Sequence, residues 1–362
     1  MYFPVPEGNS QDIHVVDSTV YRDTTILLAG NLVVASGGVV VLDSVELRMD
    51  CSFNGEYRIE VESGGSLYIY RNSHITSNSP ESRFAFAVHG KVFEMKSSTL
   101  QGAGWGEEDE MNNDNELVMS GAKGLVVTSN NAIIEKNTFT GNHVGLIVAG
   151  THASVNENEF SGQYAQALFI RDARSVEVVG NYLVNDHGSA ALHITSDYDS
   201  RYVNNVILSN HGHALITGSS HRCIFEDNTF QAELISFFMI GAGYDNLIRN
   251  NVIKTSEVGL HLWGWRNVAR DNTIECLGPW MGTGLYMLFS YNCIIENNTF
   301  TRMNEENGIW LKHSSNNLIS NNRIEATADL PGTRSSGILL FGSSKHNLLQ
   351  NNQGNDTIVF DK

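Results

Sequence analysis

A histidine, a tyrosine and two glutamates occupy related positions in the second half of the chain. His261 and Tyr286 take the third position of "GLHL" and "GLYM", two segments that share one pattern. An imidazole beside a phenol can take up and return protons at neighbouring carbon atoms, as β-elimination or epimerisation requires. Glu257 precedes His261, and Glu233 has the equivalent place one segment earlier. Carboxylates about 5–5.5 Å apart form the pair of a retaining glycosidase, although acids at turns are usually only solvated.

The position of His261 and Tyr286 is apolar or aromatic in every related segment. In an alternating strand this position points outward, where polar residues are expected. The residues are Ile147, Phe169, His193, Ile216, Phe238, His261, Tyr286, Trp310 and Leu339. Aromatic side chains on an outer face can stack on sugar rings, and the alternative is that another segment covers them. The substrate-binding candidates are His193, Phe238, Trp263, Trp265, Trp280, Trp310, Lys312 and Arg334.

Histidines and acids supply two candidate metal sites. "NDHGSAALHI" and "SNHGHALI" bring His187, His211 and His213 to equivalent turns, where imidazoles can share a transition metal. The alternative is that they hydrogen-bond the backbone. Residues 104–121, "GWGEEDEMNNDNELVMSG", contain six acids and no strand pattern. We expect a surface loop there, with Ca²⁺ binding as the alternative, and no cofactor is required by any other motif.

An asparagine followed two positions later by an apolar residue recurs every 21–26 residues, and a further apolar or aromatic residue lies three positions before it. The asparagines are Asn137, Asn158, Asn181, Asn205, Asn228, Asn251, Asn272, Asn298 and Asn322. A unit of this length with short strands and no helical periodicity must stack on its neighbours. The fold class is therefore all-β, a right-handed parallel β-helix of about a dozen coils with an internal asparagine ladder.

The repeat also divides the chain. We predict an N-terminal cap over residues 1–24, because solenoid ends must cover their last coil. Residues 25–105 form coils with glycine corners, aligned on Gly38, Gly65 and Gly90. The acidic surface loop covers 106–120, and the asparagine-ladder coils cover 121–362.

The segments "GIWLKHSSNNLISNNRI" and "GLHLWGWRNVARDNTI" resemble those of the pectate-lyase-like superfamily of parallel β-helix repeat proteins, of the NosD-like, carbohydrate-binding and sugar-hydrolase type. The resemblance covers residues 120–355 and, more loosely, 25–105. It implies the fold, and activities that range from lyases, hydrolases and epimerases to adhesins and accessory proteins. A NosD-like role linked to copper would use the histidine group. The polygalacturonase, mannuronan-epimerase and pectate-lyase signatures are missing.

Composition limits the partners. The net charge of −17 argues against nucleic acid, and no apolar run is long enough to span a membrane. The four cysteines are too few for a disulfide framework. We expect an extracellular, cell-surface or periplasmic protein. No signal peptide begins the chain, and a mature or trimmed form would look the same. We predict that the protein binds and processes an extracellular polysaccharide; the alternatives are a non-catalytic surface protein and a metal-handling accessory protein. The oligomeric state stays open.

Overall fold

The computed structural model describes residues 12–106, 118–240, 243–277, 282–303, 307–326, 337–354 and 357–360. The chain divides into two compact units, unit 1 over residues 1–188 and unit 2 over residues 189–362. In each unit successive coils stack in parallel, and a coil contributes strands to as many as three sheet surfaces, which we call faces A, B and C. The prediction of an all-β parallel solenoid of about twelve turns is confirmed.

Along each coil of unit 1 the chain passes through face A first and then through faces B and C. The long strands β2 and β4 each bend from face B to face C. On face A lie β1 (Ile13–Val15), β3 (Leu32–Val34), β5 (Arg58–Val61), β8 (Ala85–Val88), β11 (Gly124–Val127), β14 (Val144–Val148) and β17 (Leu168–Arg171). On faces B and C lie β2 (Ser18–Leu28), β4 (Val39–Met49), β6 (Ser66–Tyr70), β7 (His74–Ser77), β9 (Val92–Lys96), β10 (Thr99–Gln101), β12 (Ile133–Glu135), β13 (Thr138–Thr140), β15 (Ser154–Asn156), β16 (Glu159–Ser161), β18 (Glu177–Val179) and β19 (Tyr182–Asn185).

The strands of unit 2 repeat the pattern with longer strands on face A. On face A lie β20 (Ala190–Thr195), β23 (His213–Gly218), β26 (Ile235–Ile240), β27 (Gly243–Tyr244), β30 (Val258–Trp265), β33 (Thr283–Tyr291), β36 (Ile309–Lys312), β39 (Ile338–Phe341) and β41 (Thr357–Phe360). On faces B and C lie β21 (Arg201–Val203), β22 (Val206–Ser209), β24 (Ile224–Glu226), β25 (Thr229–Ala232), β28 (Leu247–Arg249), β29 (Val252–Thr255), β31 (Val268–Arg270), β32 (Thr273–Cys276), β34 (Ile294–Glu296), β35 (Thr299–Met303), β37 (Leu318–Ser320), β38 (Arg323–Ala326) and β40 (Leu348–Gln350).

The repeated asparagines form a hydrogen-bonded ladder inside each unit. Oδ1 of Asn251 accepts the backbone N–H of Asn228 at 2.9 Å and its side-chain Nδ2 at 3.1 Å. Nδ2 of Asn251 donates to the carbonyl of Phe225 and to Oδ1 of Asn272, both at 2.9 Å. The same bonds join Asn137 to Asn158 and Asn181 in unit 1. Each amide therefore satisfies a bend whose backbone would otherwise be buried without a partner, and the predicted ladder is confirmed.

The residue before each ladder asparagine explains the repeated "NN" pairs. Asn250, Asn297 and Asn321 have φ angles of 55°, 56° and 54°. These angles lie in the left-handed region, which asparagine tolerates better than most residues. The first asparagine of a pair thus turns the chain, and the second makes the ladder bonds.

A second ladder lies five residues upstream of the first in unit 2. Asn246 accepts the N–H of Cys223 at 3.0 Å, and Asn317 accepts the N–H of Cys293 at 2.8 Å. Asn246 also bonds Asn267. The two thiols therefore take positions that asparagine fills in other coils. All four cysteines are buried, and none is in a disulfide.

The predicted cap, acidic loop and glycine corners all lie in unit 1. Residues 1–11 and most of the acidic loop, residues 107–117, lie outside the described residues. Residues 12–24, the described part of the proposed cap, lie mainly in β1 and β2, which pair in parallel with β3 and β4. A side chain at Gly65 or Gly90 would meet backbone oxygens of the preceding coil at 2.7 and 2.5 Å. Glycine is needed at these corners because the coils approach so closely.

Candidate functional site: an aromatic column on face A

The outward position of face A in unit 2 forms one column across successive coils. Phe238 lies opposite His261, His261 opposite Tyr286, and Tyr286 opposite Trp310. We call these four residues the aromatic column. It continues to His193 through Ile216 on one side and to Leu339 on the other. The neighbouring leucines point inward and are fully buried, as Leu260 and Leu262 show.

The four rings stack on one another along the coils. The ring centroids of Phe238 and His261 are 4.7 Å apart with an interplanar angle of 19°. The centroids of His261 and Tyr286, and of Tyr286 and Trp310, are both 4.8 Å apart, at 36° and 41°. Phe238, Tyr286 and Trp310 are half-buried, while His261 is 6% exposed. Since the ring faces meet each other, the column presents ring edges outward.

Two buried polar atoms of the column have no hydrogen-bond partner among the described residues. They are Nε2 of His261 and the indole Nε1 of Trp310. A buried polar group without a partner costs about 1–3 kcal/mol, so such groups are rare and usually have a functional or solvent explanation. Both atoms lie on the same column, on either side of Tyr286. Both atoms are buried, so a ligand on face A reaches them only when neighbouring side chains move.

The surroundings hold the histidines neutral at physiological pH. Burial, together with the nearby His213, lowers the pKa of His261 to about 4. The ring of His213 lies 5.3 Å from that of Phe238, and its Nδ1 lies 3.2 Å from the carbonyl oxygen of Ile235. Burial also lowers the pKa of His213, while the Glu257 carboxylate acts in the opposite direction. The pKa of Tyr286 is raised by burial. At neutral pH the imidazole of His261 is therefore uncharged and the phenol of Tyr286 is protonated, which are the states that a general base and a general acid need.

The two candidate carboxylates lie at one corner of adjacent coils. Glu233 follows β25 and Glu257 precedes β30, and the strand ends Ala232 and Thr255 lie opposite each other. Both glutamates are exposed. A general acid of a glycosidase pair needs a pKa raised by burial or by a close like charge, and exposure removes the first of these. Their catalytic role stays a prediction.

The other predicted contacts lie beside or beyond the column. Trp263 is half-buried, with its ring 5.9 Å from that of Phe289. Trp265 is 39% exposed and lies at the next corner, while Lys312 is half-buried at the end of β36. His193 is buried, and burial lowers its pKa to about 4. Trp280 and Arg334 lie outside the described residues.

The predicted histidine group is spread over different environments. His187 is exposed in unit 1 and its ring lies 6.1 Å from that of Tyr164. In unit 2, His211 is exposed and His213 is half-buried. Within the ranges that the structure describes, no group of three or more histidine, cysteine or acidic side chains could hold a metal ion. The acidic loop considered for Ca²⁺ lies almost entirely outside those ranges.

The sequence analysis missed a second aromatic column at the corner after face A. Its members lie seven residues before a ladder asparagine, which is the signal that would have found them. They are Tyr198, His221, Tyr244, Trp265 and Tyr291. Asp199 and Asp245, each next to one of these residues, form bidentate ion pairs with Arg222 and Arg266 of the following coil. Ion pairs beside the corner column therefore connect successive coils.

The outward position of face A is covered in unit 1. Val126 lies opposite Ile147, and Ile147 opposite Phe169. Ile147 is fully buried and Phe169 is 9% exposed. They share one apolar cluster with Val118, and Met119 packs against it. The chain that follows the acidic loop therefore covers this part of face A.

Comparison with known proteins identifies the fold family. The sequence matches the family described as the right-handed β-helix region over residues 106–230 and 236–360. The chain belongs to the right-handed β-helix family. The predicted handedness is therefore confirmed. A second family, described as the periplasmic copper-binding protein NosD, matches residues 184–279.

Solved structures agree with this fold. The periplasmic alginate epimerase AlgG is 12% identical, with a TM-score of 0.50, over 94% of this chain and 78% of its own. A variant of AlgG gives 13% identity and a TM-score of 0.53, over 91% and 78% of the two chains. DFA-IIIase from Arthrobacter chlorophenolicus A6 gives 13% identity and a TM-score of 0.49, over 86% and 83%. No curated protein sequence matches, and the part of the chain that the structure describes contains no helix able to cross a membrane.

Proposed function

We propose that unit 2 of this right-handed β-helix protein binds a polysaccharide along the aromatic column of face A. The observation that supports this most is the run of Phe238, His261, Tyr286 and Trp310, in which the second and fourth rings carry buried, unpartnered nitrogen atoms. The outward ring edges give an apolar surface on which a sugar chain can lie, and sugar hydroxyl groups pair with the two nitrogen atoms when these are uncovered. The fold is shared with a protein named for acting on alginate.

We further propose that the bound polysaccharide is processed by proton transfer. His261, neutral at physiological pH, would accept a proton from a sugar carbon, and the phenol of Tyr286 would supply one to the leaving oxygen or to the opposite face of the carbon. The first outcome is β-elimination and the second is epimerisation. A hydrolase would instead use Glu233 and Glu257. Lyase, hydrolase and epimerase activities therefore predict different essential residues.

A glycan panel followed by product analysis tests both proposals. The full-length protein is screened against immobilised polysaccharides, and bound polymers are then incubated with it. Unsaturated products absorb in the ultraviolet, reducing ends report hydrolysis, and proton exchange with solvent reports epimerisation. Tyr286→Phe and His261→Gln should lower turnover about 100-fold or more while keeping most of the binding. Phe53→Ala, which removes an exposed aromatic ring of unit 1, is the control. Binding without turnover would refute the catalytic proposal, and absence of binding would refute both.

A protein interface is the second candidate function. Trp265, Phe289 and Phe341 are 39%, 40% and 39% exposed on or next to face A of unit 2, and exposed aromatic residues are enriched at protein interfaces. This candidate predicts self-association or capture of a protein partner, which Trp265→Ala would weaken. Light scattering measures self-association. A glycan panel in which no polysaccharide binds would favour the protein interface. For either function we propose an extracellular or periplasmic location, since the matched NosD family is described as periplasmic.

A further inference from the structure

The strands of face A in unit 2 contain almost no charge. Across β20, β23, β26, β30, β33, β36, β39 and β41, Lys312 is the single lysine or arginine, and the same strands contain no aspartate or glutamate. Lys312 lies at the end of β36, opposite Phe341 of the next coil. The four rings of the aromatic column therefore have no permanent cation on their own strands except at this end.

The corner beside the middle of the column is negative. Glu233 and Glu257 are both exposed there, Glu233 lying two residues before β26 and Glu257 immediately before β30. The Glu257 carboxylate is close enough to His213 to influence its titration. A carboxylate on a ligand that lay across Phe238 and His261 would meet these two like charges, which repel it.

The histidines do not supply the missing positive charge. His193 and His261 are 6% exposed, and burial keeps both imidazoles uncharged at neutral pH because it lowers each pKa to about 4. Burial lowers the pKa of His213 as well. Proteins usually bind carboxylates through arginine, lysine or protonated histidine, whose charge-assisted hydrogen bonds are the strong ones. The centre of the column has none of these among its described residues.

We infer that the ligand of the aromatic column is an uncharged glycan whose chain runs along the stack of coils. This inference rests on the proposed binding of a polysaccharide. Proton abstraction from a sugar carbon needs an adjacent carbonyl group, so among uncharged glycans the lyase and epimerase activities apply to methyl-esterified uronates, and neutral sugars leave only the hydrolase activity. Hydroxyl groups both donate and accept hydrogen bonds, so they match Nε1 of Trp310, which only donates, and Nε2 of His261 in either tautomer. One ring per coil, at centroid spacings of 4.7–4.8 Å, places the contacts in a line across the strands. A sugar chain parallel to that line contacts all four side chains.

Matched polymers test the charge of the ligand. Affinity electrophoresis of the full-length protein compares neutral glucans, mannans and xylans with polygalacturonate and alginate, and each uronate polymer is also supplied as its methyl ester. We expect neutral polymers or methyl esters to bind at least about tenfold more tightly than the free uronates, with little dependence on salt. Tighter binding of a free uronate would overturn this inference and leave the proposed function standing. Binding of no polymer would overturn the proposed function itself.

Charge reversal at the corner gives an independent test. The double variant Glu233→Lys with Glu257→Lys should shift the ratio of affinities toward the free uronates by about tenfold at low salt, and the shift should disappear at high salt. The matched control reverses two exposed glutamates of unit 1, Glu159→Lys with Glu177→Lys, and should leave the ratio unchanged. An equal shift in both double variants would show that net charge, and not the corner, sets the preference, and would overturn the inference.

Discussion

The outward position of face A is used differently in the two units. In unit 1, Ile147 and Phe169 are covered by Val118 and Met119, so the column is part of an apolar cluster. In unit 2 the same position carries rings with polar atoms, most of them half-buried. The inner wall, by contrast, is alike in both units, because the same amide bonds join Asn137 to Asn158 and Asn251 to Asn272. The fold thus fixes the inside of each coil and leaves the outside free to take up a function.

The largest expected effect is the loss of stability when a ladder asparagine is removed, and it tests whether the inner walls of the two units are equivalent. Asn158→Ala in unit 1 and Asn251→Ala in unit 2 should each lower the stability of their unit by about 3–5 kcal/mol, because each substitution leaves several buried backbone and amide groups without a hydrogen-bond partner. Urea unfolding followed by circular dichroism measures the loss.

Asn250→Gly is the matched control for the ladder variants. It changes the exposed, left-handed member of the same pair, and glycine accepts that conformation. Its effect should stay within about 1 kcal/mol. A ladder variant as mild as this control would show that the amide stack contributes little, and the equivalence of the two inner walls would lose its basis.

The next effect compares the outward position of face A in unit 1, which is covered, with the aromatic column of unit 2, which is not. Phe169→Ala should destabilise unit 1 by about 3 kcal/mol, because it opens a cavity under Met119. Trp310→Ala should cost about 1 kcal/mol or less in stability, since its ring is half-buried and its nitrogen atom is unpartnered, but should weaken glycan binding at least about tenfold. Unfolding midpoints and binding curves on the same samples check both. A larger loss of stability from Trp310→Ala than from Phe169→Ala would reverse the comparison.

A smaller effect concerns a buried acid of unit 2. Asp197 is fully buried and accepts hydrogen bonds from Ser200 and Tyr202, both at 2.7 Å. Burial outweighs these bonds and raises the pKa of its carboxyl group. An acid whose pKa is higher in the folded chain destabilises the fold once the pH exceeds its unfolded value, near 4. The positions aligned with it in unit 1 hold Ser129, Gly150 and Ala173 in successive coils.

Asp197→Asn should therefore stabilise the protein relative to the native chain by about 1 kcal/mol at pH 8, with the difference vanishing toward pH 4. Thermal unfolding across this range measures it. Asp227→Asn, at an exposed position of the same unit, should show no such trend. A stability difference that grows toward acid pH would contradict the sign of the pKa shift.

The smallest expected effect concerns metal. His187 and His211 are exposed, and Nδ1 of His213 lies 3.2 Å from the carbonyl oxygen of Ile235. We therefore expect these three histidines to hold no copper or zinc, so His213→Ala should change neither the metal content measured by mass spectrometry nor the effect of chelation on the unfolding midpoint. One equivalent of metal that disappears in His213→Ala would contradict this and would support a metal-handling role in unit 2.

The sequence predicted the inner wall well because its signals are local. Each ladder asparagine stands at a fixed distance from two apolar residues, and all of these are buried. The second ladder was missed because Cys223 and Cys293 interrupt its pattern. The outward column of unit 2 was predicted to the residue, since register follows from the repeat.

The cover over face A of unit 1 was not predictable from residues alone. Val118 and Met119 follow a segment without periodicity, so nothing in their spacing tells where they fold back. The neutral state of His261 also depends on burial by side chains from several coils, which no local pattern shows. Sequence reasoning thus found which residues meet, and the structure was needed to show how deeply they are buried.

The ladder has a consequence for how such a chain changes length. Within unit 2 each ladder amide accepts from the asparagine of the preceding coil and donates to the asparagine of the following coil, so a coil bounded by two ladder asparagines is interchangeable with its neighbours at this position. Duplicating or deleting one complete coil leaves every amide paired. Growth by whole coils is therefore compatible with the interior, and each added coil brings one new outward residue on which selection can act.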